Sequence, residues 1–154
     1  MNSLLEYKSD FLDCWVRTRS SQASFKHTLS EEVNSICSLS SSRVQSQYVV
    51  LDPSSLHFPC QPLSNFPTIL QLLDYINKQF SCNLNACVVN KYSTQSRKQP
   101  HADDESYVDQ TQPICTFTMG TSRDVYFYET PKAGSPRLSL VHQIKPEEGS
   151  VYVM

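Results

Sequence analysis

Residues 113–129 read Pro113-Ile114-Cys115-Thr116-Phe117-Thr118-Met119-Gly120-Thr121-Ser122-Arg123-Asp124-Val125-Tyr126-Phe127-Tyr128-Glu129. Two β-branched and aromatic runs, Pro113 to Met119 and Arg123 to Glu129, flank Gly120-Thr121-Ser122, which is turn composition. The same grammar continues on both sides. Downstream, Arg137 to Ile144 and Ser150 to Met154 are strand candidates, separated by Thr130-Pro131-Lys132-Ala133-Gly134 and Pro146-Glu147-Glu148-Gly149. Upstream, Asn85 to Tyr92 is a further strand, apolar enough over Asn85-Ala86-Cys87-Val88-Val89 to be expected buried. Before it, Pro67 opens a helix whose Ile69, Leu72, Leu73, Ile76 and Phe80 fall on one stripe. A helix beside a run of antiparallel strands predicts an α+β fold built on a sandwich or jelly roll closed over a central cavity.

Composition changes near residue 46. Before it, Ser3-Leu4-Leu5-Glu6 and Thr28-Leu29-Ser30-Glu31 each read as a capping box. They predict one helix over about Leu4 to Arg17, with Leu4, Phe11, Leu12 and Trp15 along one side, and a second over about Leu29 to Ser38. Arg19-Ser20-Ser21-Gln22 and Ser38-Leu39-Ser40-Ser41-Ser42 read as polar connectors. Gln47 to Leu51 is a short strand closed by Asp52-Pro53. The expected organisation is a helical N-terminal region over 1–45 and a β-rich domain over 46–154.

The 154 residues are enough for one domain with a real core. A net charge of −2 gives no overall pull towards nucleic acid, so any such contact must use a local patch. Lys91, Arg97, Lys98 and Arg123 are the cations available for one, although solvated charges on loops and strand ends are the plainer reading of each. The six cysteines (Cys14, Cys37, Cys60, Cys82, Cys87, Cys115) show no CxxC and no zinc-ligand spacing, and read as buried reduced thiols of an intracellular protein. The acidic, interrupted N-terminus is not a signal peptide, and no stretch approaches the roughly 20 apolar residues of a membrane span, so no membrane partner is expected.

The chemistry centres on Pro100-His101-Ala102-Asp103-Asp104-Glu105. On an extended segment, residues two apart point the same way, so His101 and Asp103 present an imidazole nitrogen and a carboxylate oxygen to one point. Such a pair supplies two ligands of the 2-His-1-carboxylate facial triad of non-haem Fe(II). By itself the tripeptide is a weak signal, and a solvent-exposed His beside an acidic turn is its simpler reading. Asn90 and Tyr92, another same-facing pair at the end of the preceding strand, strengthen it.

Four blocks in this order, N-A-C-V-V-N-K-Y, P-H-A-D-D-E, P-I-C-T-F-T-M-G-T-S-R-D-V-Y-F-Y and G-S-V-Y-V-M, resemble the AlkB-type Fe(II)- and 2-oxoglutarate-dependent dioxygenases over about Phe66 to Met154. Residues 1 to about 60 carry no such resemblance. The likeness implies a double-stranded β-helix with flanking N-terminal helices and implies Fe(II) and 2-oxoglutarate as cofactors. It implies His101 and Asp103 as iron ligands and Asn90 and Tyr92 as partners of 2-oxoglutarate. Asp104 matches an acid lying against the substrate base, with Glu105 beside it, and Arg123 matches a basic residue with a less defined role at the substrate. The implied reaction is oxidative demethylation of N-alkylated bases in DNA or RNA, with release of formaldehyde. A base methylated at a ring nitrogen is cationic, so a carboxylate such as Asp104 would favour it over the neutral base.

The chain departs from the family pattern at its end. The family's second iron-binding His and its 2-oxoglutarate-binding arginine follow a segment like Gly149-Ser150-Val151-Tyr152-Val153-Met154, and Met154 is the last residue of this sequence. His142 alternates with Leu138, Leu140 and Ile144 and is expected to pack into the sheet or its edge, and His27 and His57 lie outside the strand region. The expectation is therefore a jelly roll incomplete at the C-terminus, a monomer of the nucleus or cytoplasm that holds iron weakly in this form. Three readings stay open: a fragment of an active AlkB-type enzyme, an inactive module that binds nucleic acid or a protein partner, and a cupin-like domain related by fold alone.

Overall fold

A computed structural model of the chain describes residues 6–8, 22–37, 44–131, 133–134 and 137–154. Its elements run β1 (Glu6–Lys8), α1 (Gln22–Ile36), β2 (Val44–Val50), β3 (Cys60–Pro62), α2 (Pro67–Phe80), β4 (Ala86–Tyr92), β5 (Cys115–Phe117), β6 (Val125–Glu129), β7 (Ser139–Ile144) and β8 (Val151–Val153), with short 3-10 turns at Pro53–Ser55 and Leu63–Asn65. The architecture is mixed α+β, with few helices and small sheets. It divides into two compact units, one of Thr18–Gln99 and one of Met1–Arg17 with Pro100–Met154.

In the first unit, β2 pairs in parallel with β3 and antiparallel with β4, in the order β3-β2-β4. The composition change near residue 46 falls inside β2. The apolar stripe of α2 is buried at Thr68, Ile69, Leu72, Leu73 and Ile76, while Phe80 is half-buried. With Leu29 and Ile36 of α1, Val49 of β2, Leu63, Phe66 and Val89 of β4, these residues form the core. Each large side chain so buried contributes on the order of 1.5–3 kcal/mol.

The ends of α2 are set by side chains from elsewhere. Pro67 needs no N–H partner in the first turn, and the Glu32 carboxylate of α1 accepts from the next two free amides, Thr68 N (2.8 Å) and Ile69 N (2.9 Å). At the other end Ser81 turns left-handed at φ 50°, and Cys82 N–H donates to Asn77 O at 3.1 Å. The Asn77 carboxamide then grips Leu84 both ways, accepting from its N–H at 2.8 Å and donating to its C=O at 2.9 Å.

Helix α1 starts at Gln22, seven residues before the expected Leu29, and ends at Ile36. Thr28 is not its cap. The Thr28 hydroxyl donates to Ser24 O at 3.0 Å inside the helix, and Glu31 faces His27 one turn away, so neither is free to close a capping box. The helix expected over Leu4 to Arg17 is also corrected where it can be: Glu6–Lys8 is a strand, paired antiparallel with Val151–Val153. A partner strand supplies these backbone groups with bonds that a short isolated helix would have to form alone. Leu4, Phe11, Leu12, Cys14, Trp15 and the expected connectors Arg19–Ser21 and Ser38–Ser42 lie outside the described residues, whereas Gln22 is already helical.

In the second unit, β8 is the middle strand of the sheet β1-β8-β5, and β6 pairs with β7 in a separate two-stranded sheet. Strand β5 spans only Cys115–Phe117, yet its ladder with β8 is continued at both ends. Ile114 and Met154 exchange N–H···O bonds (2.9 and 3.1 Å), Thr118 N donates to Ser150 O (3.0 Å), and Gly149 N donates to Thr118 O (2.8 Å). Gly149 turns into β8 at φ +79°, a conformation that an L side chain resists. Val151 and Val153 are buried on one face of β8, and Tyr152 on the other meets Phe127 of β6 edge-on at 5.9 Å. The pairing is nested: β5 with β8 encloses β6 with β7, and the two sheets touch through that aromatic contact. The register of β6 with β7 slips after Phe127, which pairs with His142 while Tyr128 pairs with Leu140, leaving Val141 as an extra residue.

Candidate functional site

Strand β4 carries the two residues expected to meet 2-oxoglutarate. Its register with β2 places Asn90 opposite Ser46 and Tyr92 opposite Val44. Alternation puts Cys87, Val89 and Lys91 on the face that meets α1: Cys37 Sγ, just past α1, lies 4.0 Å from Val89 O, and Lys91 Nζ donates to Asn34 Oδ1 at 3.1 Å. Asn90 and Tyr92 share the opposite face with Val88, and all three are exposed. The strand expected to be buried is thus shielded on one face only, with Val89 buried and Cys87 half-buried. Lys91, grouped with the basic residues by sequence, points away from Asn90 and Tyr92.

His101 and Asp103 lie in the other unit, on a segment without helix or strand that runs from Pro100 to Glu105. Their side chains converge. His101 Nε2 stands 3.5 Å from Asp103 Oδ1, and both remain partly open to solvent, at 44% and 41%. Two donors bound to one cation at roughly 2.1 Å and a right angle stand about 3 Å apart, so a shift of a few tenths of an ångström would fit this pair to two neighbouring positions of an octahedral ion. Among the described residues, no third His, Cys, Asp or Glu gathers with them.

Asp104 and Glu105 follow on the same segment and are exposed, and Arg123 is half-buried just before β6, past the turn at Gly120. His142 lies in β7 with its ring 6.3 Å from that of Phe127. His27 pairs with Glu31 on α1 at 3.4 Å, and His57 is exposed in the loop before β3.

The segment is backed by a loop that carries little signal in the sequence. Val108 N donates to Glu105 O (2.9 Å) and Gln112 N to Asp109 O (3.1 Å), making two consecutive turns. Thr111 donates to Asp109 Oδ1 from both its N–H (2.9 Å) and its hydroxyl (2.6 Å), and these bonds hold the Asp109 carboxyl below the usual carboxylate range. Gln110 Nε2 donates back to Asp103 O at 3.1 Å. The Asp-x-Thr spacing at 109–111 is a readable turn signal. The reach of Gln110 across seven residues has no sequence signature.

A profile of the 2OG-Fe(II) oxygenase superfamily matches residues 13–154. The chain belongs to that superfamily. No curated protein and no solved structure matches it. The matched region of this oxygenase chain starts well before Phe66, so it takes in α1 and β2, which the block-by-block resemblance left out. Membership implies Fe(II) and 2-oxoglutarate as cofactors. No helix among the described residues is long and apolar enough to cross a membrane.

Proposed function

We propose that this chain is the AlkB-like part of an Fe(II)- and 2-oxoglutarate-dependent dioxygenase that removes N-methyl groups from nucleic-acid bases, its strands forming part of a double-stranded β-helix. The observation that carries the reading is the convergence of His101 Nε2 and Asp103 Oδ1 at 3.5 Å within a matched oxygenase domain. The nested pairing of β5 with β8 around β6 with β7, in two sheets, supports the β-helix, because that alternation between sheets is how a jelly roll is wound.

In this reading His101 and Asp103 would hold the metal. Asn90 and Tyr92 donate hydrogen bonds to 2-oxoglutarate. Asp104, adjacent to a ligand and exposed, sets its charge against a cationic methylated base, and Glu105 and Arg123 flank the substrate. When bound, the metal and 2-oxoglutarate supply the oxidation: oxygen is divided between succinate, formed with carbon dioxide from 2-oxoglutarate, and a hydroxyl on the N-methyl carbon. The N-hydroxymethyl group would then lose its hydroxyl proton to solvent and break its C–N bond, leaving as formaldehyde while the base nitrogen keeps the electron pair.

The test uses the full-length protein, supplied with Fe(II), 2-oxoglutarate and ascorbate. Oligonucleotides bearing N1-methyladenine or N3-methylcytosine should yield succinate and formaldehyde together. Asp103→Ala should abolish turnover, and Asp104→Ala should keep succinate formation while losing preference for the methylated base. Turnover of a methylated peptide with none on nucleic acid would remove the base from the proposal and leave the oxygenase.

A further inference from the structure

The segment bearing His101 and Asp103 belongs to no sheet, so no strand ladder fixes it. A ligand pair on such a segment needs another source of rigidity, because ordering one backbone residue costs roughly 1–2 kcal/mol. One such restraint is Gln110. Its carboxamide has two N–H groups, and the nitrogen lies 3.1 Å from Asp103 O and 3.4 Å from Val108 O, spanning the ligand residue and the first of the two turns. The second turn, closed by Gln112 N on Asp109 O and braced by Thr111 on the Asp109 carboxylate, fixes the backbone on either side of Gln110 itself. A carbonyl anchored in this way restrains the Asp103–Asp104 peptide plane and so narrows the directions in which the Asp103 side chain can leave the backbone.

We infer that Gln110 is a positioning residue: by bonding the Asp103 carbonyl, it holds the Asp103 carboxylate where it converges with His101. This rests on the reading of His101 and Asp103 as a metal-binding pair. It adds a polar neighbour of the kind that orients ligands elsewhere, whose loss typically costs about 10–100-fold in metal affinity. Because Gln110 is exposed and acts through the backbone, the lower end of that range is expected.

Mn(II) added to the 154-residue chain, followed by paramagnetic broadening of the signals around His101 and Asp103, reads weak binding without any need for turnover. Gln110→Met keeps the length and removes the donor. It should weaken Mn(II) binding about tenfold with an unchanged thermal midpoint. Thr111→Val, which loosens the turn carrying Gln110 but leaves its amide, should weaken Mn(II) binding clearly less than Gln110→Met does. Equal binding by Gln110→Met and the parent, with binding lost in His101→Ala, would overturn the inference and spare the metal pair. Equal losses in Thr111→Val and Gln110→Met would also overturn it, since loop order in general would then be responsible. If His101→Ala binds as the parent does, or the parent shows no local broadening, the metal pair falls and the inference with it.

Discussion

At the residue scale, burial separates the chain's thiols. Five described cysteines form no disulfide, and two lie where α1 meets β4. Burial pushes the Cys87 thiol up to about 11, with Cys37 nearby adding to the rise. Burial also raises Cys37, partly offset by the Lys91 ammonium. Thiolates, not thiols, react with alkylating agents, so in the native protein at mildly alkaline pH Cys37 and Cys87 should be modified by iodoacetamide more slowly than Cys60 and Cys82. Peptide mass spectrometry reads the order, and denaturant should erase it. Early labelling of Cys87 in the native state would contradict its burial. A thiol with a raised folded pKa contributes its stability fully below the unfolded thiol value and loses it as pH climbs towards 11, so unfolding midpoints should fall over that alkaline window. The convergence of the His101 and Asp103 side chains was legible in sequence at this scale because alternation over two residues is a local property of extended backbone. Gln110 was not, because its bond depends on how a loop folds back.

At the element scale, the bidentate cap of Glu32 on α2 joins the two helices of one unit. Two charge-assisted bonds, at 2.8 and 2.9 Å, satisfy amides that have no partner within the helix. Glu32→Ala should cost about 1–2 kcal/mol, the upper range for a helix cap, and Glu32→Gln less, since one amide oxygen remains as acceptor. Urea unfolding measures both, and an Ala variant as stable as the parent would show that water replaces the carboxylate. The turn at Asp109 gives a pH signature of the opposite sign to Cys87. Its carboxyl is held low by Thr111, so the turn is intact above the ordinary carboxylate range and loses that support as pH falls through the depressed folded value. The Thr111 amide should therefore lose hydrogen-exchange protection only in acid, and in Thr111→Val the Asp109 titration should move back up towards the ordinary range. An Asp109 titration left in place by that substitution would put the cause elsewhere. The elements themselves were largely readable. Helix α2 has a buried stripe at helical spacing, and every strand candidate from residue 85 onward contains an observed strand. Helix α1 begins earlier than its sequence suggests because Thr28 and Glu31 match a capping box in spelling while serving inside a helix.

At the scale of the whole molecule, sequence by itself determined the class of chemistry and most of the elements. Order and spacing of local signals, His101-x-Asp103 after Asn90-x-Tyr92 and then the paired runs of 113–129, suffice for that, because each depends on residues within one turn or strand of each other. Tertiary structure decided which elements pair. Nothing local in Glu6–Lys8 announces that it lines β8, since a strand's partner supplies half of its hydrogen bonds and lies at the far end of the chain. Nor could the sequence say that β4 buries only one face, that β5 with β8 encloses β6 with β7, or that Glu32 closes a helix beginning far downstream at Pro67. Those outcomes rest on contacts between distant residues, whose free energy comes from burying apolar surface and satisfying backbone groups together, and no short window of sequence contains both sides of such a contact.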